Sequence, residues 1–201
     1  MKKVSMGGFG VINYALLDEK RAVFGAISAV LSYPEKRFMN DRFLHEETFS
    51  NPKTLELISA FWEEISALTF GEITETYVDT FDFNKKTTLY MTFYKFEDAR
   101  ERGQMLAKLK VLYEMFGLLP DDAELTDYLP LMLEFIDAGD WYMDDRAGDS
   151  IELLVGVIED GSYHLLQALE EAGNPYRFVI EAMRNELRVC VKQGEEKQHV
   201  E

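Results

Sequence analysis

Carboxylates are the chemistry-bearing groups in which this chain is richest. Between residues 119 and 160 stand Asp121, Asp122, Glu124, Asp127, Glu134, Asp137, Asp140, Asp144, Asp145, Asp149, Glu152, Glu159 and Asp160, against one base, Arg146. Paired acids such as Asp121-Asp122 and Asp144-Asp145 could hold a hard cation, but a calcium loop needs oxygen ligands at alternate positions, a glycine turn and a distal Glu. Residues 140–149 lack that order. The three histidines, His45, His164 and His199, are not paired at ligand spacing, which leaves a zinc site or a catalytic triad little to work with. Gly7-Gly8-Phe9-Gly10 lacks the strand and the lysine-serine pair that frame a phosphate loop. No metal, cofactor or catalytic residue is expected, and the acidic block reads as a surface for a basic partner.

The bulk composition agrees. A count of 37 acidic against 21 basic residues gives a net charge of −16, which repels nucleic acid phosphates and anionic lipid heads. No stretch approaches the roughly 20 apolar residues that span a bilayer, and the first twenty residues fail as a signal peptide because Asn13, Asp18 and Glu19 break their apolar run. A cytoplasmic protein is expected. The single Cys190 excludes an internal disulfide framework and suits a reducing compartment.

The elements that must position these groups are helices. Asn51-Pro52 is an N-cap followed by proline at the first helical position, and Leu55, Ile58, Phe61, Trp62, Ile65 and Leu68 then form one apolar stripe. Asn174-Pro175 opens a second such helix, with Tyr176, Val179, Ile180, Met183, Leu187 and Cys190 at spacings of three and four, so Cys190 is expected in the core. Further helices are predicted over residues 11–33, 37–48, 72–81, 97–118, 127–138 and 150–172, the last interrupted at Asp160-Gly161. Residues 87–96 read as an irregular connector or a helix start. The expected architecture is all-α, a single-domain helical bundle over residues 1–192 with a polar, frayed tail over 193–201.

In the helix from residue 97, Ala99, Gly103, Leu106, Leu109, Tyr113 and Phe116 line one face, with Gly103 placed for the close approach of another helix, while Arg100, Gln104 and Lys108 follow a different face. Arg102 lies where it could reach an acidic side chain with bidentate geometry, either tying two helices together or contacting a ligand. In the next helix Pro130 falls in the first turn with Asp127 as the expected N-cap, presenting Asp127 and Tyr128 beside Glu124.

Tyr77-Val78-x-x-Phe81-Asp82, Leu89-Tyr90, Asp98-x-Arg100-x-Arg102-Gly103-Gln104-Met105, Tyr113-x-x-x-Gly117-Leu118 and Glu124-Leu125-x-Asp127-x-Leu129-Pro130-x-x-Leu133-Glu134 together resemble the NarJ-type nitrate reductase molybdenum cofactor assembly chaperones. These belong to the wider group of redox-enzyme maturation proteins that includes the TorD and DmsD types. Leu31-Ser32-Tyr33-Pro34 adds weaker support. The clear match covers residues 77–135. The resemblance implies an all-helical protein without enzymatic activity that holds the apo alpha subunit of nitrate reductase, including its basic, part-apolar N-terminal segment, for molybdenum cofactor insertion before membrane assembly. Tyr90, Phe93, Tyr94, Tyr128, Leu129 and Met132 are the expected apolar anchors, with core packing as the other reading of each. Arg100, Arg102, Glu124, Asp127 and Glu134 complete the expected partner-binding set. The motif departs from its usual form at Thr126, where a proline is usual, and at Tyr128, where a histidine is usual. A chaperone for a dimethyl sulfoxide or trimethylamine oxide reductase, or a small helical enzyme using the acidic cluster, are the alternatives.

Overall fold

The computed structural model describes residues 11–35, 48–96, 98–119 and 124–192, so residues 37–47 of the helix expected over 37–48 and the tail over 193–201 lie outside the described residues. Eight helices and one two-residue strand pair make up the regular structure among the described residues, and the all-α expectation holds. The first predicted helix divides into a strand β1 (Val11–Ile12) and helices α1 (Tyr14–Glu19) and α2 (Arg21–Leu31). The cause is local. Asn13 donates its backbone N–H to the Cys190 carbonyl at 2.8 Å and caps α1 through its side chain, while β1 pairs antiparallel with β2 (Val191–Lys192). Lys20, between α1 and α2, places its ammonium 2.5 Å from the buried Glu186.

Helix α3 (Pro52–Ile65) starts as expected, with the Asn51 side chain accepting from the Lys53 N–H. Its inward stripe differs in one place. Leu55 is exposed and Thr54 is buried, because the Thr54 hydroxyl donates to Glu186 near the C-terminal end of the described chain. A buried carboxylate requires such donors, and Lys20 and Thr54 supply them. Helix α4 (Phe70–Phe81) starts two residues earlier than predicted because Thr69 and Glu72 close a capping box.

Helix α5 (Ala99–Met115) is capped by the Asp98 side chain on the Arg100 N–H and ends at Gly117, whose φ of 83° allows the Leu118 N–H to return to the Tyr113 carbonyl. Its buried face is Met105, Leu109, Leu112 and Tyr113, with Ala99 and Gly103 exposed. The expected close approach at Gly103 is absent: a Cβ there would meet nothing within 4 Å. The close approach occurs instead at Gly161, where a Cβ would lie 2.5 Å from the Met91 carbonyl oxygen. Helix α7 (Ala147–Glu171) accordingly runs unbroken through Asp160-Gly161, since the glycine serves the approach of the connector and does not end the helix.

Helix α6 (Leu129–Ala138) packs on α2, and α8 (Tyr176–Cys190) packs between α3 and α7. Cys190 is 1% exposed, and burial pushes its thiol up to about 11, as a core thiol requires. Trp62, Phe61, Tyr176, Phe24, Ile27 and Phe135 are among the largest fully buried side chains.

Candidate functional site

The connector of residues 88–96 carries the site. It is irregular, as a turn-rich segment facing helices must be, and is fixed at three points. The Met91 N–H donates to the Asp127 carbonyl at 2.9 Å, and the Leu129 N–H donates to the Leu89 carbonyl at 2.8 Å, so Tyr90 and Tyr128 face each other across a single antiparallel bridge. The Met91 backbone rests on Gly161. Lys95 forms an ion pair with Asp160.

Beneath the bridge lies a buried polar knot. Asp127 is 0% exposed; its Oδ2 accepts from the Thr92 N–H at 3.1 Å, from the Thr92 hydroxyl at 2.5 Å and from Arg102 Nη2 at 3.2 Å. Arg102 Nε also donates to the Thr92 hydroxyl oxygen at 3.0 Å. Asp127 therefore does not cap α6, whose N-cap is Tyr128 with no side-chain bond. The carboxylate turns inward because the Thr92 N–H and the Arg102 guanidinium need an acceptor, and a buried donor left without one is costly. Arg102 thus ties α5 to the connector and to Asp127.

Above the knot sits a rim of aromatic rings and acids. The Tyr90 hydroxyl donates to Glu124 Oε2 at 2.6 Å, and the Tyr90 and Tyr128 rings lie 5.7 Å apart at 45°. Tyr77 donates to the Leu31 carbonyl at 3.0 Å, so the 3.0 Å bond between the Tyr77 and Tyr128 hydroxyls takes its proton from Tyr128. Tyr33, 56% exposed, packs edge-on against Tyr77 at 5.6 Å. Burial raises the Tyr128 hydroxyl above its ordinary value. Tyr90 is raised by burial, then by its bond to Glu124. Both hydroxyls thus stay protonated and act as hydrogen-bond donors near neutral pH.

The expected partner-binding residues consequently separate into groups. Tyr90, Tyr128 and Glu124 are brought together at the rim, over Arg102 and Asp127. Leu129 and Met132 are 0% exposed and belong to the core of α6, where the packing reading of each applies. Phe93 and Tyr94 leave the connector on its α7 side, with Tyr94 stacked on His164 at 5.9 Å. Arg100 and Glu134 are exposed on α5 and α6.

Tyr33, Tyr77 and Asp82 were not among the expected site residues. Tyr77-Val78-x-x-Phe81-Asp82 and Leu31-Ser32-Tyr33-Pro34 contain them, so their motif membership was the available signal.

The acidic block is partly neutralised from within: Asp127 by Arg102, Asp144 by Arg146, Glu159 by Arg184 and Asp160 by Lys95. The Arg146 fork holds the half-buried Asp144 down to about 2. Asp121 and Asp122 lie outside the described residues. Among the described residues no group of three or more His, Cys, Asp and Glu side chains is placed to hold a metal ion, and no helix is long and apolar enough to cross a membrane.

Comparison with known proteins places Tyr77, Tyr90, Glu124 and Tyr128 of the rim inside a matched region. The family model described as nitrate reductase delta subunit matches residues 50–178, which include the connector, the buried knot and Glu124. The chain is 39% identical over 126 residues to the probable nitrate reductase molybdenum cofactor assembly chaperone NarJ of Bacillus subtilis (strain 168), covering 61% of this chain and 68% of that protein. It is 33% identical over 107 residues to the nitrate reductase-like protein NarX of Mycobacterium tuberculosis (strain ATCC 25618 / H37Rv), covering 53% of this chain but 15% of that one. It is 26% identical over 115 residues to the nitrate reductase molybdenum cofactor assembly chaperone NarJ of Escherichia coli (strain K12), covering 55% of this chain and 49% of that one. With the matching family model extending over more than half of its length, this chain belongs to the nitrate reductase delta subunit family.

Proposed function

We propose that this protein is an assembly chaperone of nitrate reductase, acting in the cytoplasm and without catalysis of its own. It binds the apo catalytic subunit through that subunit's basic, part-apolar N-terminal segment and holds it for molybdenum cofactor insertion before membrane assembly. The relatives named as NarJ chaperones support the client and the task. The observation that carries the binding mode is the Tyr90–Glu124 pair beside Tyr128, a carboxylate held by a tyrosine hydroxyl at the edge of two tilted rings. Such a rim offers a cation both a counter-charge and aromatic faces, and the net charge of −16 steers a basic segment toward it.

Because Glu124 and Tyr90 are in contact with solvent, the attraction is screened: the Debye length shortens from about 10 Å at 0.1 M salt to about 3 Å at 1 M. Titration of the N-terminal peptide of the catalytic subunit into this protein is expected to show weaker affinity as salt rises, and weaker affinity again in Glu124→Lys. Binding that ignores both changes would remove the electrostatic part of this reading. Stronger binding of a dimethyl sulfoxide reductase leader in the same titration would reassign the client.

A further inference from the structure

Helix α5 carries two apolar faces, and the bundle uses one of them. Met105, Leu109, Leu112 and Tyr113 point into the core. On the opposite side Gly103, Ala107 and Val111 recur every four residues and are exposed, Val111 to 56%. With 3.6 residues per turn they stay within about 40° of the Ala107 direction. Ala99 and Met115, also exposed, continue the row at its two ends. An outer helix face that meets only water is normally polar. A Cβ on Gly103 would meet nothing within 4 Å, so the small end of the row is open to the close approach of another helix, and no segment among the described residues makes that approach.

The charges on this face are placed for something outside the chain. Arg100 and Glu114 lie seven residues before and after Ala107, each within about 20° of its direction. Both oppose the helix dipole, which favours acids in the first turn and bases in the last. Both are exposed, and neither forms an ion pair among the described residues. Their order is self-complementary. A second α5 laid antiparallel, with Ala107 against Ala107, brings Arg100 to the level of Glu114 at each end of the pair and Gly103 to the level of Val111. Opposite charges meet, and small side chains meet large ones. The helix holds four bases against two acids, a net charge of +2 in a chain of −16, so two acidic molecules repel each other least here. We infer that the outward face of α5 is a homodimer interface, occupied by the same face of a second copy of this chain about a twofold axis at Ala107. This dimer does not rest on the client assigned above. One helix against one helix is a small contact, so a micromolar dissociation constant is expected.

Sedimentation velocity of the full chain from about 1 μM to about 1 mM tests the inference. The wild-type chain is expected to pass from monomer to dimer over this range. Arg100→Glu sets acid against acid at both ends of the pair, and Glu114→Arg sets base against base. Each is expected to raise the dissociation constant by about tenfold or more. The two together restore both pairs and should return dimerisation to within a few fold of wild type, which damage to the fold would not do. Each replaced side chain is exposed and each change agrees with the helix dipole, so the fold is kept, and circular dichroism is read alongside. Ala107→Glu, which sets two acids against each other at the twofold, is the independent variant and should give a monomer. A wild-type chain that stays monomeric up to about 1 mM, a dimer that every folded variant leaves unchanged, or a double variant no tighter than the single ones overturns the inference. So does a monomeric wild-type chain whose binding to the N-terminal peptide of the nitrate reductase catalytic subunit is weakened by Ala107→Glu, a result that gives this face to the client.

Discussion

Removing the Asp127 carboxylate should destabilise the protein more than removing any exposed acid. Its Oδ2 receives three hydrogen bonds, from the Thr92 N–H, the Thr92 hydroxyl and Arg102, at a position of 0% exposure. In Asp127→Ala, the buried Thr92 N–H loses its acceptor, at about 1–3 kcal/mol, and breaking a buried ion pair costs about 3–5 kcal/mol when the remaining charge stays buried. Arg102 retains 25% side-chain exposure, so water relieves part of that second cost, and the expected loss is about 3–4 kcal/mol. For a chain of 201 residues this corresponds to about 6–16 °C in Tm. Asp127→Asn keeps one oxygen for the Thr92 donors and should lose about 1–2 kcal/mol. Arg102→Ala with Asp127→Ala should couple by at least about 1 kcal/mol in a double-mutant cycle. Urea unfolding followed by circular dichroism measures each value, with Glu124→Gln as the exposed control, expected within about 0.5 kcal/mol of wild type. An Asp127→Ala protein within about 1 kcal/mol of wild type would refute the buried knot as the fastening of the connector.

Three further outcomes follow from the packing. Gly161→Ala should cost about 1–3 kcal/mol of stability, because its Cβ would meet the Met91 backbone at 2.5 Å, while Gly103→Ala, with nothing within 4 Å, should gain about 0.5–1 kcal/mol; chemical denaturation of the pair checks both. Met143 has a φ of 66° and is 86% exposed, so Met143→Gly should raise Tm by relieving a strain of about 1 kcal/mol. Burial raises the Cys190 thiol to about 11, which leaves it protonated and unreactive in the folded state at pH 8; a thiol-specific chromogenic reagent should react slowly with native protein and at once in urea.

Much of this fold was legible because its signals are local. Asn51-Pro52 announced α3, and the spacing from Tyr176 to Cys190 announced the buried face of α8. What escaped depends on contacts distant in sequence. The split of the first predicted helix follows from Asn13 bonding to Cys190 and Lys20 reaching Glu186, and no periodicity within residues 11–33 encodes either partner. Gly161 reads as a helix breaker until Met91 is placed against it, and Gly103 reads as a contact point until the space around it is found open. At the site, the structure brings Tyr90, Glu124, Asp127 and Tyr128 together, but the direction of the Asp127 side chain was not legible. Asp127 preceding a proline-bearing turn has the sequence of a helix cap, and only the Thr92 N–H and Arg102, 35 and 25 positions away, draw its carboxylate inward. Tyr163 and His164 carry no motif at all; their place beside Phe93 and Tyr94 exists only once the connector lies along α7.

The central claim is that this protein holds the catalytic subunit of nitrate reductase before its cofactor is in place. Co-purification of the tagged chain from cells that make the catalytic subunit, with and without molybdenum cofactor synthesis, tests it most directly. Retention of the apo subunit, with the cofactor-loaded subunit released, is the predicted result. Equal retention of both forms, or of neither, would contradict the account.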